Sequence, residues 1–414
     1  MTGTDSDGGE GRPLRILAVH RYYWPDTPPY ASLLRRIVGR WREDDHQVEV
    51  LSSQPSYKAE FDAGVRPKRD RVDGVPVRRL SLPGEIGRPA TRIINALRLG
   101  LSVLVSAVTR RYDVIMISTA PPVVGGLAAA LGAKLTGARF IYHCMDIHPE
   151  VGRVSGEFSR PLVFGVLRAL DSWSCRRADP VVVLSRDMEN TLRQRRGGDA
   201  YHIRVLNNFT LPDDGAPPEG LPFEPSGHGL SVIFAGNIGR FQGLDTVVEA
   251  MARLTRRADI EFIMMGDGAA RAALEVKARE AGARIWFIGH QSVEVAKAAM
   301  RNVDFGFVSL VPGMFRYAYP SKTMTYLEQG CPLIVSVEPE SELARDVLAE
   351  EYGYTVDVGN SRELAGLLER LADNDDWKPA LRRNAYRKAR KDFSEPVVLD
   401  QWSRLLSEPG IGAR

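Results

Sequence analysis

Tyr319-Pro320-Ser321-Lys322-Thr323-Met324-Thr325-Tyr326-Leu327-Glu328-Gln329-Gly330-Cys331-Pro332 runs straight into the apolar stretch Leu333-Ile334-Val335-Ser336-Val337. Pro320 fixes the entry, Ser321 takes the N-cap position, Lys322 falls in the first turn, and Gly330 with Pro332 ends the run. The pattern predicts a short helix whose start offers amides, a positive dipole end and a lysine to an anion. An ordinary capped helix accounts for the shape but not for the lysine. Upstream, Phe234-Ala235-Gly236-Asn237-Ile238-Gly239-Arg240-Phe241-Gln242-Gly243 carries a strand into a glycine-rich turn. A helical face of Leu244, Val247, Val248, Met251 and Leu254 follows. Gly236 and Gly239 supply tightness and exposed amides, and Arg240 supplies charge. The spacing is neither the dinucleotide fingerprint nor a P-loop. Two such turns in one half of the chain read as a diphosphate site.

Working outward, apolar runs at 231–235, 261–265, 284–288, 304–309, 333–337 and 354–358 alternate with amphipathic segments, which predicts a parallel sheet covered on both faces. Gly236, Gly266 and Gly289 each follow such a run, at the strand ends where open α/β sheets bind ligands. The front half repeats the scheme with strands at 14–19, 48–52, 114–118, 140–143 and 181–184, and with a helical face of Leu33, Leu34, Ile37, Val38 and Trp41. Between the halves, residues 211–229 hold five prolines and several glycines and read as a linker. The expected organisation is a disordered tail at 1–12, a front domain at 13–210, the linker, a rear domain at 230–395, and a helix at 396–414 crossing back to the front. The fold class is α/β, two Rossmann-like doubly wound sheets facing a central cleft, which is the default active site.

The chain has 414 residues, too many for one core, with 44% hydrophobic and 26% charged residues, as in soluble globular proteins. Its polar start lacks the apolar segment of a signal peptide. Cys144, Cys175 and Cys331 show no metal-ligand spacing and fit a reduced, cytoplasmic protein. The net charge of +3 hides an asymmetry: residues 1–210 hold 31 Lys/Arg against 22 Asp/Glu, and the remainder is acidic. A basic front half points to an anionic partner. With no aromatic-interleaved basic repeat, a membrane surface or phosphorylated acceptor is favoured over nucleic acid. Residues 91–111 repeat Ile93, Ile94, Leu97, Leu101, Leu104, Val105 and Val108 at helical spacing among arginines, but the uncharged run is far short of the ~20 residues that span a bilayer. This segment is either a helix on the inner face of a membrane or a core helix.

Two front-half segments complete the candidate site. Tyr142-His143-Cys144-Met145-Asp146-Ile147-His148-Pro149-Glu150 ends a strand at the cleft, and His143 there is either a ligand contact or a satisfied core histidine. No metal is expected, since nothing gives these groups tetrahedral spacing. Pro25-Asp26-Thr27-Pro28-Pro29-Tyr30-Ala31 follows the first strand, with Pro29 and Tyr30 making a stiff apolar wall. Asp373-Asn374-Asp375 reads as a loop.

Taken together, these motifs resemble the GT-B glycosyltransferases, and more narrowly the retaining group 1 or family 4 enzymes of bacterial polysaccharide and O-antigen assembly. Further matches are Tyr22-Tyr23-Trp24-Pro25-Asp26, His46-Gln47-Val48-Glu49-Val50-Leu51, Gln54-Pro55-Ser56-Tyr57, Ala120-Pro121-Pro122, Asn207-Asn208-Phe209, Gly266-Asp267-Gly268 and Phe287-Ile288-Gly289. The resemblance implies a donor site of Gly236, Asn237, Gly239, Arg240, Gln242, Gly266, Gly289, His290, Tyr319, Ser321, Lys322, Thr325 and Tyr326. It makes His143 and Asp146 the catalytic pair and puts Pro29, Tyr30 and Glu150 on the acceptor side. The chain departs from the family pattern in two places. The usual phosphate-binding Arg and Lys fall at Asn237 and Gln242, which shifts that duty to Arg240 and Lys322; the paired glutamates fall at Tyr317 and Thr325.

What the resemblance implies is a metal-independent transfer of a sugar from a nucleotide-diphosphate sugar to a hydroxyl acceptor, with retention and no cofactor beyond the donor. The acceptor is a lipid-linked saccharide or a small molecule. A GT-B sugar-nucleotide 2-epimerase and a non-catalytic nucleotide-sugar-binding partner remain as alternatives.

Overall fold

The structure, a computed structural model, describes residues 12–26, 29–55, 65–85, 88–154, 156, 158, 160–211, 220–223, 229–374 and 376–408. The tail apart from Arg12, most of the linker, the end of the 396–414 segment, and Thr27, Pro28, Ser56, Tyr57 and Asp375 of the motifs lie outside them.

All eleven apolar runs form strands. The front sheet comprises β1 (Arg15–Val19), β2 (Gln47–Ser53), β3 (Arg69–Val72), β4 (Val75–Leu80), β5 (Val114–Ser118), β6 (Arg139–Cys144), β7 (Val181–Val183) and β8 (Ile203–Val205). Its order is β3-β4-β2-β1-β5-β6-β7-β8, parallel except for the β3–β4 hairpin. The rear sheet comprises β9 (Leu230–Ala235), β10 (Ile260–Met265), β11 (Ile285–Ile288), β12 (Phe305–Ser309), β13 (Leu333–Ser336) and β14 (Gly353–Val356), all parallel in the order β11-β10-β9-β12-β13-β14. Strand order reverses between β9 and β12, where such sheets open a crevice.

Helices cover both faces of each sheet. In front these are α1 (Pro29–Glu43), α2 (Pro89–Arg110), α3 (Val124–Thr136), α4 (Glu150–Val154), α5 (Pro161–Cys175) and α6 (Arg186–Arg193). At the rear are α7 (Asp245–Arg253), α8 (Arg271–Glu280), α9 (Val293–Asn302), α10 (Lys322–Glu328), α11 (Glu342–Ala349), α12 (Ser361–Asp373) and α13 (Lys378–Lys388). A last helix, α14 (Glu395–Ser407), returns to the front unit. It buries Val398, Trp402, Leu405 and Leu406 against α1, and Trp402 meets Trp41 edge-on at 5.9 Å.

Helix α2 has one face in the core, as a core helix requires, and one face exposed. Leu99, Val103 and Ala107 are buried in the front core, while Ile93, Leu97 and Leu101 on the opposite side are exposed. Glycines bring α2 and α3 together: a Cβ on Gly132 would lie 2.7 Å from the Ala107 Cβ.

Backbone pairing joins the two units. Asp146 and Ala318 form an antiparallel bridge, and the Ile147 amide donates to the Tyr317 carbonyl at 2.8 Å. The starts of α6 and α11 cap each other: the Arg186 amide donates to Glu342 Oε2 at 2.5 Å and the Glu342 amide to Asp187 Oδ2 at 2.6 Å. The 142–150 segment therefore lies against the residues that lead into Lys322.

Candidate active site

Lys322 begins α10, behind β12, and reaches back to the end of β9. Its ammonium stands 3.5 Å from the centroid of the Phe234 ring. A Cβ on Gly236 would come within 3.1 Å of it, so the bare glycine lets the ammonium pack directly against this turn. Nζ is buried and has no hydrogen-bond partner. Burial without a compensating anion disfavours the charged form and lowers the lysine to a pKa of about 7. A buried ammonium without an acceptor at a strand-end crevice is a functional-site signal, because contact with an aromatic face offsets only part of its desolvation.

Two glycine turns frame this charge. Gly236 has φ +134 and Gly266 φ +138; a Cβ on Gly266 would sit 1.9 Å from the Gly236 carbonyl oxygen. The turns are laced by Ile238 N–H to Asp267 O at 2.8 Å and Ala270 N–H to Ile238 O at 3.0 Å. Gln242 Oε1 accepts from the Gly239 amide at 3.1 Å, and the Asn237 side chain packs against the same glycine. Gln242 thus shapes the turn. Arg240 is exposed on it and pairs with no acid among the described residues. Gly289 is half-buried beside the Arg271 guanidinium, and His290 is exposed.

Several sequence expectations change on the rear side. Ser321 occupies the N-cap position, but its backbone is already helical and its hydroxyl makes no cap bond. Tyr326 is fully buried; its hydroxyl donates to Ile233 O at 3.2 Å and accepts from the Ala235 amide at 2.8 Å, so it braces β9 and presents nothing to a ligand. Tyr319 wedges between the cores of the two units, and burial raises its hydroxyl well above the usual range. Thr325 is half-buried on α10.

Corrections on the front side are larger. His143 is fully buried on the α1 face of the sheet, beneath Trp402 at 4.8 Å and hydrogen-bonded through Nδ1 to the Tyr30 hydroxyl at 2.8 Å. Burial holds it neutral, with a pKa of about 3. It presents no surface to the cleft and belongs to the core, although only Nδ1 is satisfied and Nε2 is buried without a partner. Tyr30 is buried with it and is no acceptor wall; Pro29 beside it is exposed at the start of α1. Glu150 is consumed by Arg195, whose guanidinium binds Oε1 at 3.1 Å, Oε2 at 2.7 Å and Asp171 Oδ2 at 2.6 Å. Tyr142 adds its hydroxyl to Asp171 at 2.9 Å. Only Asp146 stays at the junction, half-buried, with burial pushing its carboxyl upward against the pull of His148.

Two residues escaped sequence reasoning. Arg271 donates to Gly266 O at 2.7 Å and Ile288 O at 3.3 Å, tying two glycine ends together. Glu338, just beyond β13, accepts from the Gly313 amide at 2.5 Å, while its Oε2 is buried without a partner. No local pattern marks either, because their partners come from other strand ends.

Two opposed parallel-sheet α/β units with this crevice define the GT-B fold, and solved structures agree: HepE of Anabaena, crystallised with UDP, superimposes with TM-score 0.68 over 95% of this chain and 100% of that one at 17% identity. Residues 30–208 match the family described as glycosyl transferase 4-like domain and residues 229–374 the glycosyl transferases group 1, so the chain carries one of each. It is 26% identical over 368 residues to a probable glycosyltransferase WbjE of Pseudomonas aeruginosa, covering 87% of this chain and 90% of the relative. It is 24% identical over 352 residues to a putative colanic acid biosynthesis glycosyl transferase WcaI of Escherichia coli, covering 80% and 85% respectively.

Proposed function

We propose that this group 1 glycosyltransferase moves a sugar from a nucleoside-diphosphate sugar to a hydroxyl of its acceptor, with retention at the anomeric carbon. The observation that carries this reading is the buried Lys322 ammonium, packed against the Gly236 turn without a hydrogen-bond acceptor or counter-ion. That HepE crystallises with UDP and with UDP-glucose supports a nucleotide donor.

Breaking the bond from the anomeric carbon to the β-phosphate oxygen leaves positive charge on the sugar ring and negative charge on the diphosphate. Lys322, the glycine-turn amides and Arg240 neutralise the leaving diphosphate in place of a divalent cation. The acceptor oxygen bonds to the anomeric carbon and its proton passes to the departing phosphate oxygen, so the step needs no carboxylate base. Asp146 orients the reacting hydroxyls from the junction. The free oxygen of Glu338 accepts from a donor hydroxyl where the usual glutamate pair is missing.

A thermal-shift panel of UDP, GDP, dTDP and ADP, with and without EDTA, tests the donor site. One diphosphate raises the melting temperature of the wild type, EDTA leaves the shift intact, and Lys322→Ala loses it. Failure of every diphosphate to shift the melting curve refutes the assignment. Binding without transfer to any acceptor would point instead to the non-catalytic partner.

A further inference from the structure

The donor site leaves one large feature of the front unit unused: an apolar surface built by three helices. On α2, Ile93, Leu97, Leu101 and Val108 face outward, with Leu101 63% exposed. Helix α3 packs against both α2 and α5 and adds the exposed Leu135. Beyond it, α5 presents Leu162, 86% exposed, and Val166. Isolated exposed leucines need no explanation, but a set spread over three neighbouring helices marks an interaction surface.

Charge decides what covers it. Helices α2, α3 and α5 contain a single acid, Asp171, and that residue is buried and bound to Arg195. Exposed cations surround the apolar residues: Arg88, Arg98 and Arg111 about α2, Lys134 on α3, and Arg160 and Arg176 at the two ends of α5. A second copy docking face to face would oppose arginine with arginine and offer no carboxylate to meet them. An anionic lipid surface answers both requirements, with headgroups for the cations and acyl chains for the leucines. Helix α2 is long and apolar enough to cross a membrane by composition, but its inner face is committed to the core through Leu99, Val103 and Ala107. It therefore lies along the surface.

We infer that the α2–α3–α5 face docks this protein on an anionic bilayer. The inference stands apart from the donor site, and either can fail without the other.

Flotation of the full chain with phosphatidylcholine vesicles, with or without phosphatidylglycerol, tests it. Binding is expected only with phosphatidylglycerol and is lost at high salt. Arg98→Gln weakens it about fivefold, the usual weight of one cation at such a surface. Leu101→Glu and, independently, Leu162→Glu abolish it, while the nucleotide-induced thermal shift of both variants stays at the wild-type value. Absence of binding to either vesicle, or equal binding to both, overturns the inference. So does a wild-type dimer in solution that Leu162→Glu dissociates, because a second copy would then cover the face.

Discussion

Beyond β6 in the front sheet the charges are spent: Arg195 is held by Glu150 and Asp171, while His143 is neutral, bonded to Tyr30 at Nδ1 and unpartnered at Nε2. Beyond β9 and β12 in the rear sheet Lys322 is buried as deeply at its tip and touches the Phe234 ring, with no hydrogen-bond acceptor or counter-ion. Both regions lie at the carboxyl ends of parallel strands and carry residues that invite a catalytic reading. What separates them is whether folding has supplied the buried charges with counter-ions. A paired network stabilises the unit that contains it; a buried cation without an anion is a place for an anionic ligand.

Substitutions on the two sides should therefore fail in opposite ways. Arg195→Met strips buried Asp171 of its counter-ion, leaves Glu150 only Arg168, and costs about 3–5 kcal/mol of stability, read as a lower urea midpoint. If the midpoint holds, the front network is not structural. Lys322→Met removes a buried charge that had no partner, so its melting temperature stays level or rises. Transfer activity falls about 10²- to 10³-fold in the same variant, since the leaving diphosphate loses its counter-charge. An active Lys322→Met would erase the contrast.

Changing pH sharpens the comparison further. The unliganded lysine titrates near 7 and the unfolded chain's near 10.5, so between these values the unfolded state holds the extra proton. Unliganded stability should rise with pH across that window, and Lys322→Met should flatten the slope. Nucleotide affinity should fall about tenfold per unit above pH 7, because binding must recharge the lysine. Isothermal titration in buffers of differing ionisation heat reads that proton uptake directly. The smallest effect is expected from Tyr30→Phe: about 1 kcal/mol of stability from the lost His143 bond, with activity within twofold of wild type.

The legibility of the sequence follows the same division. Runs such as Ile16–Val19 and Leu333–Val335 are buried on both faces and announce strands by composition alone. The β3–β4 hairpin went unread because Arg69, Arg71, Arg78 and Arg79 break its apolar pattern at a sheet edge, and Arg204 does the same to the three-residue β8. Lys322 and Gly236 could be singled out since each belongs to a local turn pattern. Whether Glu150 or His143 turns toward the cleft depends on Arg195 and Trp402, contributed from remote parts of the chain. No window around residue 143 or 150 contains that information.

The return of α14 has a consequence for biosynthesis. Trp402 closes over Trp41 and His143, so the first unit borrows part of its interior from the segment translated after both sheets are complete. A ribosome that has delivered the whole front half has not yet delivered its lid. Maturation of that half waits on residues 395–407, and nascent chains stalled before residue 395 keep an aromatic face open to chaperones.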